Sequence, residues 1–225
     1  RVYIVGSLDE EINLDDFERR EAVLGDILQH GLPTVDTEFT RKLFANYTAQ
    51  EVIGKSIKDK RGGKNNIHSW DIDLKGRTSQ AERDLMSALL RERRKKHWAK
   101  KIGIKWMDGM PLTERQIKTF FNVPGLRKIL KHLTQMGYLV YEHPKKLVTN
   151  EDGTTKRVFD ETKSKGYNIV AGKLSFEFAK ILNPQDIAPT LVAMDVAKLG
   201  VVDGNGIRRL TIRECQRLCG YPDNY

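Results

Sequence analysis

The stretch PLTERQIKTFFNVPGLRKILKHLTQMGYLVYE, residues 111–142, decides the fold. Thr113 stands where a helix N-cap belongs and Gln116, three residues on, completes a capping box, so a helix opens there and runs to about Phe121. After Asn122-Val-Pro124-Gly, a second helix over residues 125–135 puts Leu126, Ile129, Leu130, Leu133 and Met136 on one stripe, and Gly137 takes the C-cap position. Leu139-Val-Tyr141 follows as a strand. A turn at Asn150-Glu-Asp-Gly153 and a strand-like run from Tyr167 to Val170 would complete a β-ribbon. Helix, turn, helix and two-stranded wing describe a winged-helix-like unit over about residues 111–170. Its second helix exposes Arg127, Lys128, Lys131 and His132 away from the apolar stripe. A helical hairpin with a β-ribbon serving only as scaffold fits the same pattern.

Upstream of this unit the chain is basic. From Ser79 to about Lys100 no Pro or Gly interrupts, and Leu85, Leu89, Leu90 and Trp98 recur near helical spacing, which predicts one helix with a basic cluster, Arg91 to Lys101, on its other face. A second basic run holds Lys55, Lys58, Lys60, Arg61 and Lys64. Between the two lie Asn65, Asn66, His68 and Trp70; the first three are short polar side chains suited to reading base edges. Gly62 and Gly63 either cradle a phosphate through backbone N–H groups or form an ordinary turn. The segment Leu8 to Asp26 is acidic instead, so the excess of 39 Lys and Arg over 30 Asp and Glu, a net charge of +9, falls on the middle of the chain. That face suits a polyanion, and double-stranded DNA is the first partner to expect.

Other classes drop out. No apolar run approaches the ~20 residues of a membrane helix, and 225 residues with 39% hydrophobic content suffice for a core. The two cysteines, Cys215 and Cys219, supply neither a disulfide framework nor a four-ligand zinc site, which fits a reducing, intracellular setting. The five histidines are scattered without metal-ligand spacing, so no metal is expected. Val2 to Val5 reads as a strand closed by Gly6, and a start at Arg1 without Met or signal peptide suggests a piece of a longer protein.

The last segment, RLTIRECQRLCGYPD at residues 209–223, is the most particular. Thr211 is an N-cap with Glu214 as its capping-box partner, Gly220 ends the helix and Pro222 prevents its restart. Arg209, Arg213 and Arg217 alternate with apolar positions and suggest a brace between two bodies. This segment resembles the ninth conserved motif of DNA (cytosine-5) methyltransferases, roughly Arg-x-Leu-Thr-x-Arg-Glu-x-x-Arg-Leu-x-Gly-Phe-Pro-Asp, with Tyr221 in place of the usual Phe. Upstream, residues 186–193, DIAPTLVA, resemble the Thr-Leu element that ends the family's target-recognition domain, which gives Thr190 a phosphate role. Arg1 to Gly6 resembles the tail of the eighth motif, and the resemblance gives Arg1 a supporting part in holding the target cytosine.

The resemblance implies an α+β fold: a target-recognition domain over residues 25–193 with the winged-helix-like insert, flanked by pieces of an α/β catalytic domain at residues 1–24 and 194–225. It further implies a recognition loop around Gly172, where Lys173 and Ser175 would read bases, and a structural role in motif nine for Arg209, Thr211, Arg213, Glu214 and Arg217. Neither the family's Phe-x-Gly-x-Gly loop for S-adenosylmethionine nor its Pro-Cys nucleophile occurs in these residues, so this stretch is expected to bind no cofactor and to be inactive alone. Glu214-Cys215-Gln216 mimics the nucleophile motif on a helix, and Cys215 reads as a buried thiol. The expected partners are duplex DNA and an upstream catalytic domain, on the same chain or on a separate subunit, in a bacterial restriction-modification system, cytoplasmic and nucleoid-associated. The competing reading is a non-enzymatic winged-helix transcription regulator with a basic helical arm.

Overall fold

The computed structural model describes residues 8–9, 22–170 and 176–225. Arg1, the expected strand Val2 to Val5, and the expected recognition loop with Lys173 and Ser175 lie outside the described residues. Local chemistry sets most helix starts. Thr37 caps α1 (Glu38–Asn46), Thr48 caps α2 (Ala49–Val52) and Ser79 caps α3 (Gln80–Glu92), each accepting the N–H three residues on. Two short parallel strands, β1 (Ser56–Ile57) and β2 (Asn66–Ile67), flank the basic loop and precede α3.

The single helix expected from Ser79 to Lys100 is two helices, α3 and α4 (Lys96–Ile102). The break has a cause: the Arg93 carbonyl accepts the Met110 N–H at 2.8 Å, and the Arg93 guanidinium turns inward to donate to Asn168 Oδ1 at 2.7 Å. Arg93 is therefore an internal cation and drops out of the expected basic face; burial pulls it down to about 10.

Downstream, Thr113 caps α5 (Glu114–Ile117), which is shorter than expected and continues as hydrogen-bonded turns to Phe121. Then come α6 (Leu126–Gln135), β3 (Leu139–Glu142), β4 (Lys145–Thr149), β5 (Thr155–Phe159) and β6 (Gly166–Ile169). β3 and β6 pair antiparallel as the ribbon predicts, but the turn at residues 150–153 closes a separate hairpin of β4 and β5 that the sequence pattern did not suggest. Leu112 bridges Tyr167 of β6, with Tyr167 N–H donating to the Leu112 carbonyl at 2.7 Å. A Cβ at Gly166 would sit 2.6 Å from the Leu112 backbone, so this close approach needs glycine. Leu85, Leu89, Trp98, Leu112, Ile117, Leu126, Leu130, Leu133, Leu139 and Ile169 form the core of this half.

The second half is a five-stranded mixed sheet in the order β2, β1, β7 (Lys180–Ile181), β8 (Leu199–Asp203), β9 (Gly206–Arg209), followed by α7 (Ile212–Cys219). Phe39, Leu43, Ile57, Ile67, Phe178, Ile181 and Ile207 fill its core. Strands from both sides of residue 193 thus share one sheet. Tyr138, at the end of α6, stitches the halves: its hydroxyl donates to Gly76 O at 2.8 Å and accepts from Lys75 N–H at 2.9 Å, and burial pushes it up to about 12.

Candidate nucleic-acid interface

The loop between β1 and β2 and the C-terminal end of α3 enclose a cleft of about 620 Å³, lined by Gly62, Gly63, Lys64, Asn66, His68, Asp71, Ser87, Leu90, Arg91 and Arg94. It brings the two basic runs of the sequence together through Lys64, Arg91 and Arg94, while Lys60, Arg61 and Asn65 stand exposed on the same loop outside the lining. The loop is built and not slack. Asn66 donates from its carboxamide to Arg61 O at 2.9 Å, Lys55 Nζ donates to Lys64 O at 3.2 Å, and a Cβ at Gly63 would lie 2.9 Å from Asn66 Nδ2. A side chain at Gly63 would therefore displace the Asn66 carboxamide from its bond to Arg61.

His68 is buried, stacked on Trp70 at 4.7 Å, with its Nδ1–H donating to the Lys58 carbonyl. Beside it the Asp59 carboxylate accepts Ser69 N–H at 2.8 Å and Ser69 Oγ–H at 2.7 Å; burial, the largest influence, pushes Asp59 above the usual carboxylate range. The ring of His68 and the amide of Asn66 therefore shape the loop, while the exposed cations are left to face outward. Arg94 on the opposite wall is aimed by Asp108 at 2.6 Å.

Other residues singled out by the sequence do not line this cleft. Arg127 and Lys131 stand exposed on α6, where Arg127 Nε donates to Glu114 at 2.8 Å and Lys131 has no ion pair among the described residues. Thr190 is exposed between Ile187 and Val192, themselves exposed apolar side chains.

The motif at residues 209–223 forms a clamp whose central cation is one the sequence reading passed over. Arg208 is buried, donating to Asp203 at 2.8 Å, to both Glu214 oxygens at 2.8 and 2.9 Å, and to the carbonyls of Gln29 and Arg209. Glu214 in turn accepts from Thr211 N–H and Gln29 N–H, each at 2.8 Å. Burial pushes the Glu214 carboxyl up, but these hydrogen bonds outweigh it and hold the group below its ordinary range. Arg208, with the N–H groups of Gly31 and Leu32, holds Asp203 down at about 2. Arg217 grips Asp223 at 2.7 and 2.9 Å and the Ile27 carbonyl at 3.1 Å, and Arg213 reaches the carbonyls of Pro222 and Tyr225. Arg209 remains exposed, over the Phe178 ring at 6.0 Å. The overlooked signals were the Arg-x-Leu-Thr spacing, which falls on Arg208 and not on Arg209, and Asp203-Gly-Asn-Gly206, a tight-hairpin sequence that sets Arg208 beside the cap of α7. Cys215 is half-buried and burial raises its thiol. Among the described residues no group of His, Cys, Asp and Glu is placed to hold a metal, and no helix is long and apolar enough to cross a membrane.

Comparison with known proteins adds a family context. Over all 225 residues the chain is 54% identical to the Type II methyltransferase M.NlaIV of Neisseria lactamica and 53% identical to the Type II methyltransferase M.NgoBV of Neisseria gonorrhoeae, spanning 52% of each. It is 39% identical over 190 residues to the Type II methyltransferase M.HgiCI of Herpetosiphon aurantiacus, covering 84% of this chain and 39% of that one. The chain thus spans about half the length of these two Neisseria relatives. No family model matches the chain, and no solved structure matches it.

Proposed function

We propose that these residues form the target-recognition part of a DNA (cytosine-5) methyltransferase, which reads a duplex site and presents one cytosine for methylation from S-adenosylmethionine in a restriction-modification system. The observation that carries the reading is the similarity to Type II methyltransferases along the whole chain, joined to a motif-nine-like segment folded as a buried clamp. In the complete enzyme a cysteine outside these residues attacks the extruded base, and this part supplies contact and orientation. Phosphate contacts fall to Lys55, Lys58, Lys60, Arg61, Lys64 and Thr190; base readout falls to the loop with Lys173 and Ser175 and to Arg127 and Lys131 of α6. Arg1 keeps its supporting role beside the cytosine.

The Leu112 bridge, α5, α6 and the β3–β6 ribbon support reading the first half as a winged-helix unit, in which Leu112 adds a single-residue bridge to the two-stranded ribbon. The cation-rich walls of the cleft suit a phosphate and disfavour a sulfonium, so the cleft is assigned to DNA and not to S-adenosylmethionine.

The test is to incubate the intact protein with S-adenosylmethionine and a pool of duplexes and to map the methylated atoms. Methyl groups at cytosine C5 within one short sequence are the expected result; methylation at an exocyclic amine, or none at any cytosine, defeats the reading. Replacing Lys60, Arg61 and Lys64 by Ala should flatten the salt dependence of binding by about 3 units of slope while preserving the preferred site.

A further inference from the structure

The hairpin of β4 and β5 is the part of the chain that neither the motif resemblance nor the apolar pattern accounts for. Its strands pair with each other in a sheet of their own, and none of their ten residues is buried. Leu147 is 36% exposed and Phe159 49%. A lone two-stranded hairpin without a buried face is marginal in water, so this one is shaped for something outside the chain.

Its chemistry is one-sided. The strands read KKLVT and TKRVF, four cations and no carboxylate. Cross-strand register pairs Lys145 with Phe159 and Leu147 with Arg157 on one face, and Lys146 with Val158 and Val148 with Lys156 on the other, so each face presents cations beside apolar side chains. Lys145 Nζ lies 5.0 Å over the Phe159 ring, and Lys146 is 3.6 Å from Asp160 at the root, while Lys156 and Arg157 have no ion pair among the described residues. The root is fixed by Asp160 N–H donating to Pro144 O at 2.8 Å and His143 Nδ1–H donating to Lys163 O at 2.7 Å. Acid appears at the tip, Glu151 and Asp152, with the Asp152 carboxylate accepting Thr154 N–H and Oγ–H.

We infer that the β4–β5 hairpin is a second DNA-binding arm, whose stem lies along a duplex groove with Lys145, Lys146, Lys156 and Arg157 on the flanking phosphates. The inference rests on the proposed reading of the chain as a duplex binder and adds a surface to it. Five residues per strand span ~17 Å, and the ~12 Å major groove admits a two-stranded ribbon. The acidic tip excludes a tip-first approach, because it would carry Glu151 and Asp152 into the phosphates. The stem faces them instead.

The experiment uses the intact protein and a duplex of its preferred sequence, with binding measured against salt for the wild type and for Lys145→Gln/Lys146→Gln/Lys156→Gln/Arg157→Gln. Neutralising four phosphate contacts should weaken binding at least about tenfold and flatten the salt slope by about 3 to 4 units. A slope and affinity equal to wild type overturn the arm while leaving the duplex-binding reading intact. Failure of the wild type to bind any duplex overturns both. Because the variant could misfold, acetylation footprinting of the wild type gives an independent answer: duplex should shield Lys145 and Lys156, and unchanged labelling of both refutes the contact.

Discussion

The clamp around Arg208 and the hairpin of β4 and β5 use the same residue types to opposite ends. In the clamp every donor direction of a buried guanidinium ends on a carboxylate or a carbonyl, so the charge is consumed inside the protein. In the hairpin three cations, Lys146, Lys156 and Arg157, stand in water and Lys145 lies half-buried over Phe159, with a single partial ion pair, from Lys146 to Asp160. A buried and satisfied cation holds two segments in register, while an exposed and unsatisfied one is available to a polyanion. Net charge alone does not separate these roles. Location of the partner carboxylate does.

The largest effect that tests this contrast is on stability. Glu214→Ala leaves Arg208 buried with three of its five hydrogen bonds and also strips acceptors from the N–H groups of Thr211 and Gln29. Breaking such a buried pair costs about 3–5 kcal/mol, so the melting temperature should drop by about 10 °C or more. Arg157→Ala, on the hairpin, should leave it within about 1 °C. Similar losses for both variants would show that the two regions differ in exposure but not in role.

Acid sharpens the same contrast. Asp203 is held at about 2 against an ordinary 3.8, and Glu214 is also depressed. A depressed carboxylate gives stability that is complete above its unfolded pKa and is lost as pH falls, because the unfolded chain then binds the proton more readily. Unfolding by urea across a pH series should therefore show stability falling from about pH 4 toward pH 2, and Asp203→Asn should flatten that limb. A limb unchanged by Asp203→Asn would locate the acid sensitivity elsewhere.

How much of this was legible follows from how local each signal is. The caps of α5 and α7 are written within four residues, Thr113 with Gln116 and Thr211 with Glu214, and both form as expected. The stripe of α6 is equally local, and its Leu126, Leu130 and Leu133 are buried. The clamp was half legible: the carboxylates of Asp203 and Glu214 lie five and six residues from Arg208, and the Arg-x-Leu-Thr spacing falls on Arg208 and not on Arg209, whereas the contact with Gln29 is distant in sequence and carries no local signal. The α3–α4 break was hidden for the same reason, since Arg93 turns inward only because Asn168 waits there. The hairpin strands were missed because lysines interrupt the β-branched residues, whereas their turn at residues 150–153 was plain.

His132 sits on the boundary between the two kinds of cation and gives the smallest effect. It is half-exposed on α6, yet its Nδ1–H donates to Glu82 Oε1 on α3. Burial pushes the Glu82 carboxyl up, but His132 and Ser79 outweigh it and keep the group below its usual range. Ser79 N–H and Oγ–H would still satisfy Glu82 Oε2, and water can take the place of the half-exposed imidazole at Oε1, so His132→Ala should cost only about 0.5–1 kcal/mol. Its neighbour Lys131 has no ion pair among the described residues and should behave in the opposite way. Lys131→Ala should leave stability unchanged and relax discrimination at one base pair of the site, whereas His132→Ala should leave discrimination alone. If His132→Ala relaxes discrimination as much as Lys131→Ala does, a residue committed to an internal carboxylate is also serving DNA, and the division between consumed and available charge fails on α6.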